Sequence, residues 1–473
     1  MSFVSWDYAV LLLLALAAFR LAPAGLRGPV LLAASWVFYA WVHPGHAALL
    51  LGVTVLHFVA GQFIHRCTDR WRRKAALAAV VAASLGVLGW FKYADFGLQV
   101  VRGALGPLAQ GWPAALDILL PAGISFYIFQ CIGCTVDIYR GQWEPERRFS
   151  DYALFVGFFP QLVAGPIERG RDLLPQLKRL EPQDAAGLEE GFRLLLLGLV
   201  KKVAVADRLG PVVLPVLEEP ARSSAPGLAL ASLGLFFMLY FDFSAYTDMA
   251  RGSARLFGVR LSANFAAPLL AANPADFWRR WHMTLTGWMR DYVFIPLGGM
   301  HPRHWLQACL VPLGVMGLLG LWHGASWNFV LWGLFHGAVL LAWYGIHQAF
   351  KARLRRLRGP RAWLAAAAGW WATMACHALA MAWFFTPDLA GALAVFARYG
   401  QAAAWTAADP LVPALAGVLG VLLACEAGAH YGRLQERVAR APALLRALWC
   451  LGLLLAALLL APERSAPFVY FQF

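Results

Sequence analysis

The chain has 473 residues, of which 60% are hydrophobic and only 14% charged, and its formal net charge is +14. This composition excludes an ordinary soluble enzyme and is typical of a membrane protein. The positive charge is concentrated in short basic loops beside apolar segments, chiefly Arg66–Lys74, Lys351–Arg361 and Arg433–Arg446. Because cytoplasmic loops of membrane proteins are enriched in such residues, we expect membrane lipids as partners and no nucleic acid.

Apolar segments near the length that crosses a bilayer recur along the whole chain. The clear examples are Tyr8–Ala24, His46–Ile64, Ala75–Trp90, Leu228–Phe241, Leu306–Leu321, Val330–Ile346, Trp363–Phe385, Leu411–Cys425 and Ala447–Ala461. Hydropathy predicts about 11–12 transmembrane helices in an all-α polytopic fold, with residues 1–473 forming one domain. The first apolar run lacks a basic region before it, so we expect it to be retained rather than cleaved. Alternation between the basic loops predicts a periplasmic N-terminus and a periplasmic C-terminus.

The middle of the chain differs from the helices on either side of it. Residues 121–337 carry tryptophan, glycine, proline and charges inside apolar sequence. Such interruptions are tolerated in a membrane only where the backbone is inside protein or lines a wet cavity. Two prolines and a glycine within Phe158–Leu177 predict a re-entrant or interfacial turn. Asn273 and Pro274 predict the start of an aromatic and basic helix.

One histidine in this region stands between two long apolar stretches. His323 lies in the sequence Trp322-His323-Gly324, preceded by Leu306–Leu321 and followed by Phe329–Tyr344. An ionisable side chain in lipid surroundings is a candidate functional group, and imidazole is well suited to proton transfer near neutral pH. The alternative is a core histidine that bonds to a backbone carbonyl group.

A second group of candidate residues lies on the helix that follows Asn273. Trp278 and Trp281 can form rigid walls with an N–H donor, and Arg279 and Arg280 can bind phosphate or carboxylate oxygens. His282 follows directly. The alternative is an interfacial helix that these residues anchor on lipid headgroups. The histidines lack the spacing of zinc ligands and no G-x-S-x-G motif is present, so we predict neither a metal site nor a serine triad.

The motifs DFWRRWHMTL, RDYVFIPLGG and GLWHGASWNF occur in this order, and with them residues 121–337 resemble the membrane-bound O-acyltransferase family. Within the family the chain is most similar to the branch of alginate O-acetylation membrane proteins. Relatives of that branch acetylate cellulose or peptidoglycan, or D-alanylate teichoic acid. The ending FVYFQF (Phe468–Phe473) also resembles the terminus common in this branch.

The resemblance implies a ring of tilted helices around a central tunnel, with His323 at its neck and His282 as the second catalytic residue. Donor or substrate binding is expected of further side chains: Trp278, Arg279, Arg280, Trp281, Asp242, Trp322, Asn328 and His336. No bound cofactor is implied, and acetyl-CoA is the expected acyl donor. Bacterial relatives work with a periplasmic partner of the SGNH or serine-hydrolase-like type, which we expect to dock near Phe468–Phe473.

The function that follows is transfer of acetyl groups from a cytoplasmic thioester across the inner membrane to a polysaccharide, alginate or cellulose. A neutral imidazole at His323 would take the hydroxyl proton and return it to the thiolate, while His282 or a tryptophan N–H binds the oxyanion. Two alternatives stay open. A polysaccharide or lipid transporter would show inverted repeats, which are not apparent, and a non-catalytic scaffold of an exopolysaccharide secretion complex would leave the histidines unexplained.

Overall fold

The computed structural model of the chain describes residues 1–41, 43–463 and 465–469. These residues form helices and connecting loops, with no β-strand in the described ranges. They divide into two compact units, which we call the first unit (Met1–Gly198 with Tyr246–Ser262) and the second unit (Leu199–Ala245 with Ala263–Phe473). The all-α class predicted from the sequence is confirmed, whereas the single domain stays a prediction.

Eight helical segments in the described part of the chain are long and apolar enough to cross a membrane. They are Pro44–Arg66, Arg70–Ala109, Ala225–Leu256, Trp305–His323, Trp327–Leu354, Pro360–Phe385, Leu411–Tyr431 and Ala443–Leu460. Ile124–Tyr139 and Leu389–Tyr399 are apolar but shorter. The polytopic character is therefore confirmed, and the count of 11–12 crossings stays a prediction because it depends on how such shorter helices are used.

Nine α-helices begin in the first unit within the described ranges. They are α1 (Trp6–Leu21), α2 (Arg27–Ala40), α3 (Pro44–Arg66), α4 (Arg70–Leu88), α5 (Ala94–Leu105), α6 (Ile124–Tyr139), α7 (Phe149–Gly157), α8 (Gly170–Leu177) and α9 (Ala185–Val200). The first helix is capped by the hydroxyl of Ser5, which accepts from the backbone N–H of Tyr8. The phenol of Tyr8 donates to Ser253 at 2.7 Å, which joins α1 to the 246–262 segment of this unit.

The segment between α7 and α8 is not helical, as its prolines and glycine predict. Residues 158–168 are buried although their backbone forms turns. Buried backbone of this kind needs internal hydrogen-bond partners. The amide of Gln161 supplies one such bond by donating to the carbonyl oxygen of Pro166 at 2.8 Å, and it also donates to Gln130 on α6. The irregular backbone predicted for Phe158–Leu177 is therefore confirmed up to Arg169, whereas Gly170–Leu177 forms α8 with Pro175 inside it. The re-entrant or interfacial position stays a prediction.

Twelve α-helices begin in the second unit, counted over the described ranges. They are α10 (Asp207–Glu218), α11 (Ala225–Leu256), α12 (Pro274–Arg280), α13 (Met283–Met289), α14 (Trp305–His323), α15 (Trp327–Arg356), α16 (Pro360–Phe385), α17 (Leu389–Tyr399), α18 (Ala402–Thr406), α19 (Leu411–Tyr431), α20 (Leu434–Arg440) and α21 (Ala443–Leu460). From Tyr246 onward, α11 belongs to the first unit. A π-helical stretch, Lys201–Ala206, precedes α10, and another, Arg290–Phe294, follows α13.

Helices α14 and α15 form a tight hairpin that carries His323 at its turn. A β-carbon added at Gly320 would collide with the carbonyl oxygen of Phe329, and one added at Gly333 would collide with that of Met316. Small residues allow two helix backbones to approach closely, which is how helices commonly pack in membranes. These two glycines therefore fix the position of the turn in which His323 lies.

Candidate active site

His323 is the last residue of α14, immediately before the extended Gly324. Its ring lies 4.9 Å from that of Trp322, 5.0 Å from that of Trp332 and 5.5 Å from that of Phe384. The side chain is only 5% exposed. The imidazole is enclosed by aromatic rings, and imidazole is a side chain suited to accepting a proton near neutral pH. It can therefore act as a proton acceptor, as the sequence predicts.

His282 lies at a break in the helix that was predicted to follow Asn273. Asn273 caps α12 by accepting from the backbone N–H of Asp276 at 2.8 Å, which confirms the predicted start. The helix ends at Arg280, however, and His282 adopts a left-handed backbone with φ 41° and ψ 53° before α13 begins. For a residue with a side chain this conformation costs on the order of 1–3 kcal/mol. The local strain turns the imidazole toward Phe243, 4.7 Å away, and Trp322, 5.7 Å away.

His336 and His377 form a second pair of buried imidazoles. Their ring centroids are 4.9 Å apart, and His377 also stacks on Phe236 at 4.8 Å. Trp332 lies 4.7 Å from His336, so indole and imidazole rings make a continuous row that starts at His282 and ends at His377. Sequence reasoning missed His377. The rule that selected His323, an ionisable residue inside an apolar span, would also have found it in Trp363–Phe385.

The two members of this row on α15 each have a polar atom without a hydrogen-bond partner in the described part of the chain. These atoms are Nε1 of Trp332 and Nε2 of His336, and both are buried. The two residues are four apart on α15, so their side chains share one face of the helix. A buried polar group without a partner costs roughly 1–3 kcal/mol. This cost indicates a place where a polar ligand atom is expected to bind, and the indole can only donate to it.

The remaining predicted residues of the 278–281 segment divide between the row and its support. Trp278 packs against both Trp332 (6.1 Å) and His336 (5.4 Å), so the structure brings it to the row. Trp281 is buried and stacks on Phe277 at 5.3 Å, which makes it part of the packing. Trp278 thus borders the row and Trp281 supports it, while the binding role predicted for both stays a prediction.

The two arginines of the same segment are anchored to different extents. Arg280 donates to Asp276 at 2.9 Å and to the carbonyl oxygen of Ala266 at 3.2 Å. Arg279 is 71% exposed and lies 3.5 Å from the same carboxylate. The guanidinium group of Arg280 is therefore occupied by contacts within this loop. Because Arg279 is exposed, it is the more accessible of the two to an anionic ligand.

Asn328 has a structural contact. Its amide donates to the backbone carbonyl oxygen of Thr386 at 3.1 Å and approaches the hydroxyl group of that residue at 3.3 Å. The bond ties the start of α15 to the end of α16. Asn328 therefore supports the turn beside His323 through this helix pairing, while the substrate-binding role predicted for it stays a prediction.

Asp242 belongs to a buried ion cluster. Lys202, 1% exposed, lies 2.8 Å from both Asp207 and Asp242. The backbone N–H of Val469 donates to the other oxygen of Asp242 at 2.8 Å, and the ring of Phe468 faces the ammonium group of Lys202 at 4.5 Å. Both carboxylate oxygens of Asp242 are therefore used within the protein. Its expected role in substrate binding stays a prediction.

The cluster also defines the place of the C-terminal segment. Phe468 and Val469 are buried, and the hydroxyl group of Ser465 donates to Asp207 at 2.5 Å. Arg208 donates to the carbonyl oxygen of Leu460 at 3.0 Å. Residues 470–473, the rest of the predicted partner-docking motif, lie outside the described residues. Sequence reasoning missed Lys202. Like His323, it is an ionisable residue within an apolar segment, here residues 194–206, and the same rule would have selected it.

A buried carboxylate also lies in the first unit. Glu168, between α7 and α8, accepts from the backbone N–H of Ser262 at 2.6 Å and from its hydroxyl group at 3.0 Å. Burial raises the pKa of Glu168 to about 7, although the bonds from Ser262 act in the opposite direction. The carboxyl group of Glu168 therefore changes charge near neutral pH.

A polytopic helical protein with histidines and tryptophans enclosed in its interior has candidate functional groups at membrane depth. Residues 147–386, just over half of the chain, match the sequence profile of the membrane-bound O-acyltransferase family. The chain belongs to this family and is an O-acyltransferase by class, which confirms the resemblance seen in its motifs.

Several named bacterial proteins are similar in sequence to this chain. The probable alginate O-acetylase AlgI of Azotobacter vinelandii is 38% identical over 74% of this chain and 70% of its own length. The protein of the same name from Pseudomonas syringae pv. tomato is 38% identical over 68% of this chain and 61% of its own length. The peptidoglycan O-acetyltransferase of Helicobacter pylori is 33% identical over 69% of this chain and 65% of its own length. The chain thus aligns with about two thirds of each.

Proposed function

We propose that this protein transfers acetyl groups from acetyl-CoA on the cytoplasmic side to a polysaccharide outside the inner membrane. Alginate is the favoured acceptor because similar proteins carry that name, and cellulose is the second candidate. The observation that carries the proposal is the buried row of imidazole and indole rings around His323. Such a row is suited to general-base chemistry in a dry interior.

The proposed acetyl transfer has two steps, the formation and the collapse of a tetrahedral intermediate. Neutral His323 takes the proton from a hydroxyl group of the polysaccharide. The oxygen of that hydroxyl group then attacks the thioester carbonyl carbon. In the resulting tetrahedral intermediate, the carbonyl oxygen carries the negative charge. When this intermediate collapses, the carbon–sulfur bond breaks and the thiolate of coenzyme A leaves. His323 returns the proton to that sulfur, so the enzyme ends unchanged.

The developing oxyanion requires donors. The indole N–H of Trp332 is a donor only, is buried beside His323, and lacks a partner among the described residues. His336 can supply a second donor in its Nε2–H tautomer. We propose this pair for the role, and we propose that His282, whose ring lies 5.7 Å from that of Trp322, orients the bound group. Donors of this kind lower the transition-state free energy by about 3–4 kcal/mol each.

The donor and the partner are proposed from charge and placement. The exposed guanidinium group of Arg279 is available for the phosphates of acetyl-CoA, whereas that of Arg280 is tied to Asp276. The basic loops support a cytoplasmic donor side and periplasmic termini. An SGNH or serine-hydrolase-like periplasmic partner would meet the surface around the C-terminal segment, since the side chain of Phe468 itself is buried.

Replacement of His323 with alanine tests the proposal. Release of coenzyme A from acetyl-CoA in the presence of an oligouronate acceptor should fall by about 10³-fold or more, because a general base and acid is lost. His430→Ala, at the exposed end of α19, is the matched control and should retain full activity. A His323→Ala protein that folds in the membrane and keeps its activity would remove this residue from the reaction.

A further inference from the structure

The first unit has a polar cavity that shares no lining residue with the histidine row. It measures about 720 Å³ and lies where the α1–α2 connection, the loop before α7 and the turn after α8 meet. Its charged lining is mainly cationic, with five basic residues against three acidic ones: Arg27, Arg147, Arg148, Lys178 and Arg179 against Glu146, Asp151 and Glu181. A smaller cavity of about 490 Å³ shares Glu146, Arg147 and Lys178 with it. The two cavities therefore adjoin along these three residues.

One of the three carboxylates in the lining, that of Glu146, is already neutralised. Glu146 is buried, and its carboxylate lies 3.0 Å from the ammonium group of Lys178. Its other oxygen accepts from the backbone N–H groups of Arg147 (2.8 Å) and Arg148 (3.3 Å). Five cationic side chains face three carboxylates in the lining, a formal excess of two positive charges. The field inside the cavity is therefore positive.

Three of the cations are available to a ligand. The side chains of Arg147, Arg148 and Arg179 are exposed to solvent and make no ion pair with any other described residue. Charged groups that crowd one concavity without partners repel each other, and an anion relieves that repulsion. Arginine matches phosphate oxygens with two parallel N–H donors. The arrangement thus favours a phosphoryl group.

The walls of the cavity are held by specific bonds rather than by loose loops. Arg27 donates to the carbonyl oxygen of Leu180 at 3.1 Å, which joins the start of α2 to the turn after α8. Its Nε is buried and has no partner in the described ranges. Gln62 on α3 donates to the carbonyl oxygen of Glu146 at 2.6 Å. The cavity is therefore preformed, which lowers the entropic cost of binding.

The same bonds indicate the membrane side of the cavity. Gln62 lies one turn before the end of α3, and Arg73 at the start of α4 donates to the carbonyl oxygen of Tyr139 at 2.8 Å. The cavity thus adjoins the basic loop Arg66–Lys74, which the positive-inside rule assigns to the cytoplasm. Phosphate-bearing molecules are abundant on that side, both in the anionic leaflet and in solution.

We propose that this cavity is a phosphoryl-binding site on the cytoplasmic face. The shared chemistry is a phosphate group held by Arg147, Arg148 and Arg179. It can come from the headgroup of an anionic phospholipid or from the nucleotide part of the thioester donor, and only the second source rests on the proposed function. Binding is measured without acyl transfer, so failure here is distinct from failure of the catalytic proposal.

The test uses the triple variant Arg147→Gln/Arg148→Gln/Arg179→Gln of the full chain. In neutral phosphatidylcholine nanodiscs, calorimetry measures the affinity for coenzyme A. In detergent, native mass spectrometry measures retention of phosphatidylglycerol. The control is Arg66→Gln/Arg70→Gln/Arg72→Gln, which removes the same charge from exposed residues of the adjoining loop. We expect the first variant to weaken one ligand by about tenfold or more, and the control to leave it within about twofold.

Each result decides the matter. Loss of coenzyme A affinity alone identifies the donor phosphates as the ligand, and loss of phosphatidylglycerol retention alone identifies the lipid headgroup. Loss of both in the cavity variant, with the control unchanged, supports a site that accepts either phosphate. Equal loss in the two variants shows only general attraction to positive charge and overturns the proposal. Unchanged binding of both ligands overturns it as well.

Discussion

Helices α11 and α21 are both apolar enough to cross a membrane, yet they are surrounded very differently. In the most apolar window of α11, 83% of residues are buried inside the protein, whereas the figure for α21 is 6%. The difference lies in the polar residues. Apolar sequence in α11 contains Asp242 and Ser244, both buried, while α21 is almost entirely leucine and alanine. Hydropathy thus identifies a membrane-spanning helix, and polar residues within it indicate that the helix is buried inside the protein.

The largest effect on stability is expected from breaking the buried ion cluster. Lys202→Met leaves the carboxylates of Asp207 and Asp242 buried without their cation, which costs about 3–5 kcal/mol. Thermal unfolding in detergent measures this loss. The control Lys351→Met removes the same charge at an exposed position of α15 and should change the free energy of unfolding by no more than about 0.5 kcal/mol. Equal stability of the two variants would show that the buried lysine contributes no more to the free energy of unfolding than the exposed one.

The next largest effect concerns catalysis rather than folding. Trp332→Phe keeps an aromatic ring beside His323 but removes the indole N–H, so kcat should fall by about 10²–10³ with little change in KM. Trp449→Phe makes the same change on α21, where the indole nitrogen is also buried without a partner in the described residues, and should leave kcat unchanged. A parallel decline in both variants would assign the effect to general packing.

The third prediction concerns the pH dependence of stability. The pKa of Glu168 is raised from 4.5 to about 7 by burial, so the folded state binds its proton more tightly than the unfolded state. Its contribution is complete below about pH 4.5 and is lost as the pH rises through 7, which amounts to about 3 kcal/mol. Glu168→Gln keeps an acceptor for Ser262 but cannot ionise. Unfolding temperatures between pH 5 and pH 8 should decline less steeply in this variant; an unaltered slope would contradict the assignment.

The smallest effect is expected from a matched pair of glycine substitutions. Gly320→Ala places a methyl group against the carbonyl oxygen of Phe329 and should destabilise the protein by about 1–3 kcal/mol. Gly420→Ala on α19, where no atom lies within 4 Å of the added carbon, should be neutral or stabilise by up to about 1 kcal/mol. Thermal unfolding distinguishes them, and an equal response would mean that the α14–α15 hairpin is not tightly packed.

The helices were predicted from the sequence more accurately than the contacts between them. Apolar length placed the spans, and the Asn273-Pro274 pair placed the start of α12, because both signals are local. The left-handed turn at His282 and the pairing of His336 with His377 were not predicted. Such features depend on contacts between segments distant in sequence, which a single chain does not display. Asp242 was found as an unusual residue, but its pairing with Lys202 became visible only in three dimensions.

The most direct measurement of the central claim is sided acetyl transfer in proteoliposomes. Radiolabelled acetyl-CoA is added outside the vesicles, and an oligouronate acceptor with the periplasmic partner is enclosed within them. The intact protein should label the enclosed acceptor, and the His323→Ala variant in the same orientation should label it at the background rate. Undiminished labelling by that variant, or labelling only of acceptor on the donor side, would contradict transfer through the buried histidine row.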